Sequence, residues 1–203
     1  MVDLDLAIVE QGIKDVLARQ VQQKIWTWIR EIKTYGGEFD DDTLAWVDTF
    51  PAIWVTFQGS GTPKKTSHNK TEYPVTFVVL VGARSMRNEE AQRHGAGSDI
   101  GTFLMLKHVK KLLIGNDLSS VGVVGLDPLE LGRTKTIFNT KTRNQSINVL
   151  SQEFTTQYTI TASDRDREEE ATDAYIHRIN VDYYFEPNDG FKDDSDLIEL
   201  QEN

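Results

Sequence analysis

Apolar residues in the first thirty-odd positions recur at intervals of three and four: Leu6, Val9, Ile13, Val16, Val21, Ile25, Trp28 and Ile32. That spacing predicts one amphipathic helix over residues 4–33. Asp3 or Asp5 would cap it, and Lys33 would sit near the negative end of its dipole. Gly12 counts against an unbroken helix by ~1 kcal/mol relative to alanine. Trp26 falls off the stripe, which leaves it as a partly covered surface aromatic or a contact to another subunit. The hydrophobic period then changes within Tyr35–Gly59. Gly36 and Gly37 can take the left-handed conformation. Asp41 or Asp42 can cap a short turn carrying Leu44, Trp46 and Val47. Phe50-Pro51 favours extended backbone before the proline, and Ala52–Phe57, with Trp54 inside it, reads as a buried strand.

Residues 52–58 and 73–83 are predicted strands. In the second, Val75, Phe77, Val79 and Val81 share one face, and Val78 and Leu80 make the other face apolar as well. Such strands lie inside a covered sheet or turn one face to a subunit interface. Between them Gly59–Glu72, with Lys64, Lys65, His68 and Lys70, is long for a hairpin loop. It reads as a solvated tip or as an arm reaching a neighbouring subunit. Residues 84–98 are a polar connector ending in glycines. A second helix is expected from Ser98 or Asp99 to Ile114, with Met105, Leu106, Val109, Leu112 and Leu113 in its core stripe, widened by Ile100, Phe103 and Leu104. Lys107, Lys110 and Lys111 fall on the opposite side, and Gly115 is the stop.

Residues 116–134 read as irregular, with one short strand at Val121–Val124. Further strands are expected at Thr134–Phe138, Ser146–Val149, Glu153–Ala162 and Ala174–Phe185. Phe154, Thr156, Tyr158 and Ile160 alternate on one side, and the charged loop Asp164–Asp173 would join the last two strands. The order of elements is that of an α+β domain: a mainly antiparallel sheet, two principal helices packed on it and a long β-hairpin arm. Residues 1–185 are expected to form this single domain, and 186–203 an acidic extension, mobile or ordered by a partner.

Composition narrows the class. Apolar content of 38% and charged content of 27% fit a soluble globular chain. No apolar run approaches the ~20 residues that span a bilayer, and the acidic N-terminus lacks the basic start of a signal peptide. With no cysteine, thiolate metal sites and disulfides are excluded. Net charge is −10, of which seven acids and one lysine in 186–203 supply −6, leaving −4 for the rest. Such a chain is a poor general DNA binder, though acids lining a channel would let DNA pass.

Motifs for chemistry fail one by one. Gly95–Gly101 precedes a helix but lacks the lysine of a phosphate loop and misses GxGxxG. His68, His94, His108 and His177 are isolated in sequence, without ligand spacing. Asp164, Asp166, Glu168 and Glu170 alternate but lack the glycine of a calcium loop. Glu38 with Asp40–Asp42 is explained by helix capping, and no nucleophile arrangement can be assigned. No catalytic residue, metal or cofactor is therefore expected, and the chain reads as no enzyme. The candidate contact residues are Trp26, Trp54, Lys64, Lys65, Lys70, Arg84, Arg87 and Arg93. The basic ones would form a patch if the hairpin folds toward the connector. The patch could serve nucleic acid or an acidic tail from another protomer.

Several stretches together resemble the Mu-like contractile-tail phage family encoded near the tail sheath, over about residues 4–160. They are Tyr35–Asp40, Phe50–Val55, Arg87–Ala91 with the glycine-rich approach to the second helix, Leu126-Asp127-Pro128, and Thr136–Asn139. The resemblance implies a structural virion protein, a tail terminator. Six copies would form a ring at the head-proximal end of the tail. The ring would cap the tail tube protein, engage the last ring of sheath protein and face the neck or connector proteins. Genomic DNA would cross its lumen without specific binding. The implied location is the virion, after assembly in the host cytoplasm and with no membrane involved. A head–tail connector or tail-completion protein is the neighbouring reading, and a small nucleic-acid- or ligand-binding domain the distant one.

Overall fold

Asp5 starts the first helix: its Oδ1 accepts a hydrogen bond from the Ile8 amide at 2.8 Å. Helix α1 (Leu6–Gln22) buries Val9, Ile13, Val16 and Leu17. Gly12 does not break it. A Cβ there would stand 2.7 Å from Val123 Cγ2, so the glycine is where a loop packs onto the helix. The helix ends eleven residues before the expected Lys33. Lys24 turns into the left-handed region at φ 59°, and Glu31–Thr34 becomes strand β1. The reason lies in which residues find the core. Ile25, on the expected stripe, is 60% exposed, whereas Trp26, off it, is 4% exposed. Trp26 is thus a core residue, correcting its reading as a surface aromatic.

The computed structural model describes residues 4–37, 50–84, 93–96, 99–137, 147–162, 178–183, 192 and 194–199. The turn expected at Leu44–Val47, its Asp caps, Arg87, most of the connector, His177 and the Asp164–Asp173 loop lie outside them. The chain divides into two compact units, Met1–Ala162 and Ser163–Asn203.

In the first unit one sheet runs in the order β1, β2 (Ala52–Ser60), β4 (Lys70–Arg84), β8 (Ile147–Thr161), β7 (Glu130–Ile137). The short β3 (Lys64–Lys65) pairs with β4 beyond the core. The β1–β2 pair is parallel and all other pairs of this sheet are antiparallel. A small ribbon, β5 (Gly95–Ala96) with β6 (Asp99–Ile100), leads into helix α2 (Thr102–Leu113). Gly101 caps α2, later than the expected Ser98 or Asp99. It has no room for a side chain, because a Cβ would lie 2.2 Å from the Arg93 carbonyl oxygen. Gly115, at φ 70°, follows the helix end as expected.

Side-chain alternation sorts the sheet into two sealed faces. Ile53 and Val55 of β2, Val75 to Val81 in steps of two on β4, and Leu150, Phe154 and Tyr158 of β8 pack under both helices. Ala52, Trp54, Val78, Leu80, Ile147 and Val149 form a second buried cluster with Phe50 on the other face. The two-faced apolar strands are therefore covered within one protomer. This is the α+β fold expected, with two helices on a mainly antiparallel sheet.

Three elements differ from expectation. The two strands expected at 146–149 and 153–162 are replaced by the single β8 (Ile147–Thr161), because the polar Ser151 and Gln152 between them are buried with partners: Ser151 Oγ donates to the Lys135 carbonyl, and Gln152 Nε2 to that of Gly132. Val121–Val124 is no strand. Ser119–Val121 is a 3₁₀ turn, and Val123 packs into the core. In the second unit β9 (Arg178–Tyr183) pairs antiparallel with β10 (Asp194–Glu199), a strand not expected in the acidic extension.

Candidate interaction surfaces

The arm is built from β3 and the ends of β2, β4 and β8. Every residue from Ser60 to Lys70 is exposed. Lys64 stands opposite Glu72 and Lys65 opposite Thr71, while Thr71 and Glu72 pair on their other side with Ile160 and Thr159. The tip closes through the Thr66 and Ser67 amides, which donate to the Lys70 carbonyl at 3.0 and 3.2 Å. The amide of Ala162 donates to the Asn69 carbonyl at 2.7 Å. Backbone bonds on both sides of β4 hold the tip, so Lys64, Lys65, His68 and Lys70 are presented on an ordered ribbon.

Among the described residues the expected basic patch does not form across the arm and connector. Lys70 begins β4 and Arg84 ends it. Fourteen extended steps separate them, roughly 46 Å at ~3.3 Å per residue. Arg84 and Arg93 lie toward the opposite end of β4, where Arg84 stands opposite Ile147 and Arg93 packs against Gly101 before α2. Trp54 has no exposed surface, and Trp26 is nearly as covered. Trp26 stacks on Trp28 with centroids 5.3 Å apart, and the His108 ring tilts against both at 6.1 and 5.9 Å. Neither tryptophan offers a partner a surface without movement in the core.

A cationic edge went unread in the sequence. Lys107, Lys110 and Lys111 share one face of α2. Lys110 Nζ donates to Thr134 Oγ1 on β7 at 2.9 Å, which brings that face beside the strand carrying Arg133 and Lys135, although the Lys135 side chain turns to Glu153 on the opposite side of the sheet. Strand β7 is the outermost of the sheet, exposed from Glu130 to Lys135. The sequence signal was present in the RTK run of residues 133–135, but the lysines of α2 lie some twenty residues earlier and meet it only in three dimensions.

At this edge Lys135 Nζ donates to Glu153 Oε1 at 2.7 Å, Gln58 approaches the same oxygen at 3.4 Å, and the Arg133 amide donates to Oε2 at 3.3 Å. The Lys135 ammonium above all, then Gln58 and the Arg133 amide, hold the Glu153 carboxyl below the usual glutamate range. A depressed carboxylate pKa stabilises the fold above the unfolded value, and that contribution is lost as pH falls through the folded value. A carbon-detected titration of Glu153 is expected to give a midpoint below that of an ordinary glutamate. Lys135→Ala should raise it, and an unchanged midpoint in that variant would contradict the assignment.

Near the start of β7 a recess of about 280 Å³ is lined by Pro74, Asp127, Pro128, Glu130, Thr155, Thr156 and Gln157. It is open, and its carboxylate Asp127 Oδ2 already accepts from Gln157 Nε2 at 2.7 Å. Among the described residues no group of three His, Cys, Asp or Glu side chains is placed to hold a metal ion. His68 and His94 are exposed, and His94 stands edge-on to Phe103. The arrangement offers strand edges and charge to a macromolecular partner.

A search of curated proteins gives no match. Among solved structures, a chain described as "Virion of native gene transfer agent (GTA) particle" is similar at a TM-score of 0.47 and 14% identity. The match covers 74% of this chain and 94% of that one, a likeness too low to carry an argument. The family model described as Bacteriophage Mu, Gp37 matches residues 10–159. That span runs from α1 nearly to the end of β8 and leaves out the second unit. It also agrees with the Mu-like resemblance read from residues 4–160. The chain belongs to the Bacteriophage Mu Gp37 family.

Proposed function

We propose that this chain is a structural virion protein of a contractile phage tail, and within that class a tail terminator. Family membership supports the phage setting. The observation that carries the structural role is the pairing of a core sealed on both sheet faces with an ordered arm exposed from Ser60 to Lys70. A ring needs a rigid unit and heterologous head-to-tail contacts that close. The sealed sheet supplies the first, and the arm, with Lys64, Lys65 and Lys70 at its tip, is suited to the second. In this reading six copies cap the last tail-tube ring, engage the last sheath ring and face the neck. Arg84, Arg87 and Arg93 are contact residues at the other end of β4 and in the connector. The acidic 186–203 extension is ordered further by a partner. DNA passes a lumen that a chain of net charge −10 does not make adhesive. The role is non-enzymatic, in the virion, after assembly in the host cytoplasm.

The test is mass. Light scattering on the purified protein, alone and with tube protein, is expected to show a closed hexamer in at least the second condition. A monomer at high concentration in both conditions would sink the ring. Labelled protein located by electron microscopy at the neck side of the head–tail joint, and not at the end of the tube, would instead favour a connector.

A further inference from the structure

Among the described residues the outer edge of β7 pairs with no strand, and Lys107 and Lys111 on the lysine face of α2 are exposed, while Lys110 alone of the three bonds Thr134. β7 pairs with β8 on its inner side. Its residues from Glu130 to Lys135 are exposed. Natural sheets blunt such an edge with bulges and charge, and β7 has both. The register shifts between Leu131 and Thr134, and Arg133 and Lys135 stand on the strand. Gly132 in the bulge passes tightly over β8: a Cβ there would lie 2.9 Å from Glu153 Cβ. Positive charge, however, deters only some strands. It repels a second β7 or any other basic strand and attracts an acidic one. Lys107, Lys110 and Lys111 add to Arg133, whereas Lys135 is neutralised by Glu153 on the opposite side of the sheet and exposed Glu130 begins the strand, so four cations against one further acid leave a positive excess. In a chain of net charge −10 this is a local reversal of sign.

We infer that the outer edge of β7, flanked by the lysine face of α2, takes up an extended acidic peptide segment of a partner protein as an added strand. Backbone hydrogen bonds along the edge would supply affinity, as in strand addition generally. The lysines of α2 and Arg133 would select acidic side chains and steer their approach. Exposed Leu131, at 43%, offers one apolar contact on the same edge. The features belong to a single protomer, so the proposal does not depend on the ring.

The test titrates a labelled synthetic peptide, KDDSDLIELQEN (the sequence of residues 192–203, net charge −4), into the full chain. Expected results are saturable binding at low salt, its loss at about 1 M salt where the screening length is ~3 Å, and slowed amide exchange across residues 130–137. Replacing both Lys107 and Lys111 by glutamine is expected to weaken binding about fivefold at low salt. Neither lysine is placed in the core, so the variant should keep its circular dichroism spectrum. No saturable binding to the folded protein would overturn the proposal. So would binding that leaves amide exchange at 130–137 unchanged, or binding indifferent to the double substitution. A short DNA duplex that displaces the peptide at lower concentration would also overturn it, since the lysines would then be reading phosphate. The ring could still form in each of these cases, and light scattering would show it, so the two readings fail separately.

Discussion

Replacing Trp54 with alanine is expected to destabilise the first unit by about 3–5 kcal/mol, in the range for buried aromatic truncations. Trp54 lies on β2, between β1 and β4, with no exposed surface. Its ring meets Phe50 edge-on at 5.5 Å, within the cluster that also holds Val78, Leu80 and Val149. That cluster seals the sheet face opposite the helices, so β2 and β4, whose other face the helices cover, cannot follow a collapsing cavity far. Truncation therefore removes the transfer energy of the indole and leaves much of its volume empty. Calorimetry should show the main transition falling by roughly 6–20 °C, taking ~2–4 °C per kcal/mol for a chain of this size. A loss under about 1 kcal/mol would mean that this face opens in solution and is available to a partner.

The second large effect is the reverse operation in the same place. Gly82 sits on β4 opposite Ala52 of β2 and Val149 of β8. A Cβ there would stand 2.4 Å from Phe50 Cε1 and 3.0 Å from Trp54 Cζ3. Alanine suits a strand better than glycine by roughly 0.5–1 kcal/mol, so in open space Gly82→Ala would be mildly stabilising. Here two aromatic rings must shift inside a closed cluster, and overpacking of that kind costs about 1–3 kcal/mol. The variant is expected to be destabilised on balance. Adding Phe50→Leu should return part of the loss, because the nearest obstructing atom belongs to that ring. A neutral or stabilised Gly82→Ala would show that the aromatic pair is not packed as described.

The strand periodicities were readable because they report local alternation. The two faces of β4, the Phe154–Tyr158 side of β8, the Gly115 stop and the Asp5 cap all follow from spacing and backbone chemistry within a few residues. The long first helix was misread for a related reason. Ile25, Trp28 and Ile32 continue a helical period on paper. Trp26-Thr27-Trp28 and Glu31-Ile32-Lys33 also alternate as strands do, and tertiary burial of Trp26 decided between the two. The break expected before Glu153 came from Ser151 and Gln152, polar residues whose partners on β7 no local pattern reveals. The candidate surface was least legible. Its cations come from α2 and β7, two elements that adjoin only through the sheet order. Of the basic residues that did stand out, Lys70 and Arg84 proved to occupy opposite ends of one strand.

That strand has a mechanical consequence. β4 and β8 match residue for residue from Lys70–Thr161 to Arg84–Ile147, with no bulge in their fifteen pairs. A pull on the arm tip along the strand axis would load these rungs in shear, all at once, rather than peel them one by one. The ribbon would then act as a stiff rod, and a push or pull at Lys64–Lys70 would arrive with little loss beside α2. For a structural protein of a phage virion, the same pairing that orders the fold would serve as a strut.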